Sequence, residues 1–289
     1  MKKIKYSFLI LSSIFLAACE DKIDLDLEEG RQQLVVDGFL TNDSSIQTVR
    51  LTLSAAYFLN AATPGVNTAT VQVIGPNNQI FNFQSDGEGN FNYDPSTGGA
   101  LDSIGFPYLL NLVYNGSTYL SRSILNPVPP IDSMTATFEE NELGQEDGFY
   151  TEFFARDIEG RDDFYWIKAF KNGKTISPDD PSSLILAANA AFGAGFDGTE
   201  FITPIRAAIT NEDDPFAVGD TSSVELYSLN FEAYAFLQQV TIQANNGGLF
   251  ATPPANIRSN IFDAAGNIQD EVLGIFSISA VSKNSLVIK

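Results

Sequence analysis

Between Tyr108 and Ile124 the chain reads Tyr-Leu-Leu-Asn-Leu-Val-Tyr, then Asn-Gly, then Ser-Thr-Tyr-Leu-Ser-Arg-Ser-Ile. Tyr108, Leu110, Leu112 and Tyr114 recur at every second position, the period at which side chains of a strand share a face. Asn115 and Gly116 both tolerate positive φ, as a two-residue type I′ turn requires. This stretch therefore folds as an antiparallel hairpin, with Thr118 to Ile124 as the return strand. A hairpin with one apolar face needs a second layer to cover it, so the rest of the chain must supply more sheet.

The sequence before it does. Leu34, Val35 and Val36 form an apolar run, and Val49, Leu51 and Leu53 alternate with Thr48, Arg50 and Thr52. Val71 with Val73 and Phe81 with Phe83 begin two more strands. Ser85 to Asn90, rich in Gly and Asp, is a turn before Phe91. Roughly seven short strands without a helix predict a β-sandwich over residues 31–126. Asn126-Pro127-Val128-Pro129-Pro130 then breaks the pattern. Proline fixes φ and removes N–H donors, so residues 127–130 read as a stiff linker between domains, or as a loop inside one larger sandwich.

Residues 131–289 are again mostly strands. Met134, Ala136 and Phe138 alternate, while Phe149–Ala155 and Phe164–Phe170 are apolar on both faces, as central strands are. Lys171-Asn172-Gly173-Lys174 is a second Asn-Gly hairpin, and Ser223–Leu229 is another strand. One helix is predicted over 231–244. Asn230 or Ser228 can cap it, and Ala233, Leu237, Val240 and Ala244 fall on one face. Gly274–Lys289 supplies one or two closing strands. The expected fold is mainly β, with two β-sandwich-like domains, the second carrying one helix packed on a sheet.

The start of the chain has a different character. Lys2, Lys3 and Lys5 precede an apolar run from Tyr6 to Ala17, and Leu16-Ala17-Ala18 ends at Cys19. A basic start, a short apolar stretch and small residues make a secretory signal over residues 1–18. The run is about a dozen residues, short of the roughly 20 that span a bilayer. Leu-Ala-Ala-Cys reads as a bacterial lipobox, cut before Cys19, with lipid then attached to that residue. Cys19 is the only cysteine in 289 residues. Residues 19–30 become the lipidated cysteine and an acidic tether, so membrane lipid is the first expected partner.

Composition excludes several functions. The chain has 36 acidic against 16 basic residues, a poor match for nucleic acid. Histidine is absent, which removes Ser-His-Asp and Cys-His triads and the commonest transition-metal ligand. With Cys19 lipidated no thiol remains for a disulfide or a thiolate metal site. The surviving chemistries are paired carboxylates and oxygen-ligated calcium. Asp157, Glu159, Asp162 and Asp163 lie within seven residues and could ligate calcium, although the spacing is not that of an EF-hand. The bland reading is a solvated loop before the strand at Phe164, and no cofactor is expected beyond the covalent lipid. Phe192-Gly193-Ala194-Gly195-Phe196 offers two aromatic residues in an irregular segment. Phe192 and Phe196 are either a contact loop for a partner or ligand, or core residues.

Three groups of residues carry a resemblance. They are Cys-Glu-Asp-Lys-Ile-Asp-Leu-Asp at 19–26 with Leu-Val-Val-Asp-Gly at 34–38, Pro-Val-Pro-Pro-Ile-Asp-Ser at 127–133, and a C-terminal set. The last comprises Val224-Glu225-Leu226, Phe231-Glu232-Ala233-Tyr234, Pro253-Pro254-Ala255-Asn256-Ile257 and Leu273-Gly274-Ile275-Phe276. On these the chain resembles a Bacteroidota lipoprotein family, domain of unknown function 4249, over nearly all its length after Cys19. The first domain also looks like immunoglobulin-like or transthyretin-like sandwiches. The resemblance implies no catalytic residues. It implies an outer-membrane lipoprotein that accompanies a TonB-dependent receptor, and an acidic cluster after the cysteine implies exposure on the cell exterior. The expectation is a non-enzymatic, lipid-anchored accessory protein; the alternative is a free-standing surface module that binds glycan or peptide.

Overall fold

The first half of the chain builds one long curled sheet. Its strands are β1 (Leu34–Thr41), β2 (Gln47–Leu53), β3 (Thr70–Ile74), β4 (Ile80–Ser85) and β5 (Asn90–Tyr93), followed by the single helical turn α1 (Pro95–Gly98). The hairpin β6 (Pro107–Tyr114) and β7 (Ser117–Ile124) completes this run. Tyr114 pairs with Ser117 around Asn115 and Gly116, whose φ angles are 49° and 79°, so the type I′ turn forms as the sequence predicts. Tyr108, Leu110 and Leu112 are buried on one face. Each fully buried side chain of this size contributes about 1.5–3 kcal/mol. A one-residue slip would turn the whole set to solvent, so burial fixes the register.

The computed structural model describes residues 32–55, 62–140, 146–176, 185–188 (backbone only), 197–203, 205–246, 257–267 and 272–289. Gln32–Lys289 is one compact unit. After β7 come the ribbon β8 (Ile131–Glu139) and β9 (Gly148–Ala155), then β10 (Phe164–Lys171), β11 (Lys174–Thr175) and β12 (Ile185–Ala188). β13 (Thr221–Leu229) leads into helix α2 (Phe231–Ala244), and β14 (Phe262–Asp263), β15 (Val272–Ser279) and β16 (Val281–Val287) follow.

These strands form a nine-stranded sheet in the order β14-β7-β6-β3-β4-β5-β2-β1-β15. A second sheet runs β11-β10-β13-β16, with β12 also on β10, and β8-β9 stands as a separate ribbon. β4 and β5 share only two residue pairs, which lets the large sheet curl there. Its ends approach each other: Asn126 forms an isolated bridge with Ser279, and the Ile278 N–H donates to Ser123 Oγ at 3.0 Å. Val36, Leu51, Val73, Phe81, Leu110 and Phe276 meet in one core inside the curl.

The two halves of the chain share strands. β15 returns from the C-terminal region to pair in parallel with β1, and β14 pairs with β7. After Ala280 the same stretch continues as β16 in the second sheet. The proline segment at 127–130 lies between the sheets, and Val128 packs against both cores. The second core lies on one face of the second sheet, where Tyr165, Ile167, Val224 and Leu226 meet Ile131 and Phe153 of the ribbon. Helix α2 covers part of the other face. Its N-cap is Asn230, whose side chain accepts from the Ala233 N–H at 2.8 Å. Ala233 and Leu237 are buried with Trp166, Leu229 and Ile275. Ala244, on the same predicted face, is exposed, so only the first turns of the helix pack.

Candidate functional site

The four carboxylates considered for calcium divide into a buried pair and two exposed side chains. Asp157, just past β9, is buried and accepts from the Tyr165 hydroxyl at 2.7 Å and from the Gly198 N–H at 3.0 Å. Asp163 is buried before β10, and Arg161 Nε donates to its Oδ1 at 3.2 Å. Its Oδ2 has no hydrogen-bond partner among the described residues. Burial raises the Asp163 pKa, the Arg161 guanidinium offsets part of that, and the neighbouring Asp157 charge adds to it. Burial, helped by the bond to Asp157, also pushes the Tyr165 hydroxyl up. Glu159 and Asp162 point to solvent. Among the described residues no group of three or more His, Cys, Asp or Glu side chains gathers as a metal site would need. Cys19, Phe192 and Phe196 lie outside the described residues.

A different constellation forms where the two sheets meet. The antiparallel register of β10, β13 and β16 sets Lys168 opposite Glu225 and Glu225 opposite Lys283. One row back, Trp166 lies opposite Tyr227. Strand alternation puts all five on one face, with Trp166 and Tyr227 bordering the core under α2. The turn from β1 to β2 closes over them and brings Asp43, whose Oδ2 accepts from Lys283 Nζ at 3.0 Å. Lys283 also pairs with Glu225 at 3.0 Å, and the Tyr227 hydroxyl donates to the other Glu225 oxygen. Lys168 Nζ sits 3.9 Å from the Trp166 ring centre and 4.5 Å from that of Tyr227. A cleft of about 270 Å³ opens here, with Phe39 and Ile46 on its wall.

The electrostatics follow from this packing. Burial alone would raise the Asp43 pKa, but hydrogen bonds from Ser45 and Lys283 outweigh it and bring the carboxyl down to about 2. Burial likewise works against the Lys283 charge, and the bonds to Glu225 and Asp43 reverse the sign and raise its pKa. Lys168 lacks such bonds. Desolvation lowers its pKa, and the more distant charges of Glu225 and Asp37 offset only part of this.

A second cleft, of about 310 Å³, lies beside the Asn172-Gly173 hairpin. Of its two ammonium groups, Lys171 Nζ reaches Asp214 Oδ1 at 2.7 Å and the Pro215 carbonyl at 2.8 Å, and Lys174 is exposed to solvent. Lys168 differs from both in being partly buried with no ion-pair mate among the described residues.

Residues 20–285 match the family described as Domain of unknown function (DUF4249). The chain belongs to this family. The DUF4249 match spans both sheets and the ribbon, and so contains every residue of the Lys168 cleft. No curated protein matches the chain. Sequence reasoning missed this cleft because Phe164–Phe170 reads as an apolar central strand. The available signal was Lys168 itself, two residues from the chain's single tryptophan and therefore on the same face.

Proposed function

We propose that this DUF4249 protein is a non-enzymatic lipoprotein of the outer membrane that serves as an accessory to a TonB-dependent receptor in uptake or transport. Lipid on Cys19 anchors it, residues 20–30 act as a tether, and the β-rich body stands outside the bilayer facing the cell exterior. The observation that carries this reading is Leu16-Ala17-Ala18-Cys19, with the chain's single cysteine directly after an apolar run too short to span. More than one acyl chain on Cys19 would hold it stably, since each buried CH₂ adds about 0.8 kcal/mol. Two further points support it. The segment after Cys19 is strongly acidic, and a chain without histidine lacks the commonest general base.

The test is purification from native membranes in gentle detergent through a tag placed after Lys289, with mass spectrometry of the eluate. The expected result is a near-stoichiometric TonB-dependent receptor and a lipid-modified Cys19. Recovery of the chain alone would overturn the accessory role. Recovery from the soluble fraction with unmodified Cys19 would overturn the anchor.

A further inference from the structure

We infer that the cleft around Lys168 binds a small molecule that carries one carboxylate on an apolar body. Two polar side-chain groups of the cleft lack a hydrogen-bond partner among the described residues, the Lys168 ammonium and the buried Trp166 Nε1. Asp43 accepts from Lys283, Ser45 and Gln47. Glu225 accepts from Lys283 and Tyr227. Gln47 is buried, with its amide tied to Thr41, Asp43 and the Ser45 carbonyl. Lys168 stands apart. Among the described residues its ammonium has no hydrogen-bond acceptor and no carboxylate at ion-pair distance; it meets only the faces of two aromatic rings. The rings hold the charge in place but accept none of its three N–H donors.

Such a group selects its ligand by charge. An oxygen anion entering the cleft completes the ammonium with a charge-assisted hydrogen bond. Glu225, Asp43 and Asp37 lie close by, so a doubly charged phosphate meets about twice the repulsion that a single carboxylate meets. Phe39 and Ile46 define the rest of the molecule. Phe39 lies edge-on to Trp166 with ring centres 5.3 Å apart, and Ile46 keeps 57% of its surface exposed at the cleft wall. An apolar body that covers these side chains removes their surface from water. The cleft volume falls just below the usual range of about 300–1,000 Å³ for drug-sized ligands, which suits a small acid. This inference does not depend on the membrane anchor.

The chain's single tryptophan is Trp166, so tryptophan emission has one source and that source lines this cleft. The experiment titrates the purified full chain in detergent with 3-phenylpropanoate, its neutral amide and inorganic phosphate. The expected result is a saturable change in tryptophan emission with the acid and binding of the amide at least tenfold weaker. Lys168→Gln should weaken acid binding at least tenfold, while Lys168→Arg, which keeps the charge, retains it. Circular dichroism establishes that both variants are folded. Equal affinity for acid and amide overturns the inference. So does unchanged affinity in Lys168→Gln, tighter binding of phosphate than of the acid, or no saturable response into the millimolar range.

Discussion

The side chain of Asn260 holds both backbone groups of Phe276: its Nδ2 donates to the Phe276 carbonyl at 2.8 Å, and the Phe276 N–H donates to its Oδ1 at 3.0 Å. A carboxamide presents an N–H donor and a carbonyl acceptor side by side, so it can meet both backbone groups of one strand residue. Asn260 thus acts as a one-residue strand along β15, on the edge away from β1. Its own carbonyl accepts from Ser121 Oγ at 2.8 Å, which ties the arrangement to β7. Asn260→Ala would leave a buried N–H and a buried carbonyl unmatched. At about 1–3 kcal/mol for each group, the expected destabilisation is about 2–6 kcal/mol. Urea unfolding should show a lower midpoint with an unchanged slope. Asn267→Ala, in an exposed turn, should change stability by less than about 1 kcal/mol. Similar effects in the two variants would rule out the strand-like role of Asn260.

Gly274 lies opposite Val36 in the parallel β1–β15 pair. Its φ is +95°, and a methyl group there would lie 1.9 Å from the Val36 carbonyl oxygen. Both the backbone conformation and the space exclude a side chain. Gly274→Ala must push the parallel β1–β15 pair apart, with an expected loss above about 3 kcal/mol, the range of overpacking combined with backbone strain. Gly116 separates the two effects. It also has positive φ, at +79°, but faces open space, so Gly116→Ala should cost only about 1 kcal/mol. Thermal unfolding of the two variants side by side tests this. Equal shifts in Tm would mean that the contact with Val36 contributes nothing.

What could be read from the sequence, and what could not, divides by the range of the interaction. The hairpins at Asn115-Gly116 and Asn172-Gly173 were legible because two residues set the turn and the turn sets the register; both asparagines have positive φ, as expected. Helix α2 was legible to the residue because its cap at Asn230 is local. The parallel pairing of β15 with β1 was not, since no turn joins those strands and nothing local names the partner. The row Lys168–Glu225–Lys283 was hidden for the same reason, its members lying on three strands aligned only by that long-range register. The acidic run from Asp157 to Asp163 suggested a shared site because its members are close in sequence. Asp157 and Asp163 are buried as neighbours beside Tyr165, whereas Glu159 and Asp162 are exposed, so the four do not gather as one group.

Asp43 and Lys283 pair at 3.0 Å although 240 residues separate them, and the bond joins the first hairpin to the last strand. The Asp43 carboxyl sits at about 2 in the folded protein against 3.8 ordinarily. Its folded value is the lower one, so the ionised carboxylate favours the folded state. That stabilisation is fully present above about pH 4 and is lost as the pH falls from there through 2. The Lys283 ammonium is shifted upward, so its contribution persists below the ordinary value of 10.5 and is lost as the pH rises through the folded value. Lys283 is 48% exposed, and solvent screens much of the pair, which leaves a contribution on the order of 1 kcal/mol at pH 7. Asp43→Asn should therefore lower stability by about that amount at neutral pH. The gap between variant and parent should close as the pH is taken from 4 toward 2, because the parent's carboxylate is then protonated as well. Urea unfolding at pH 7, 4 and 2.5 measures it. A gap that stays constant across this range would mean that Asp43 contributes through shape and neutral hydrogen bonds to Ser45 and Gln47 rather than through its charge.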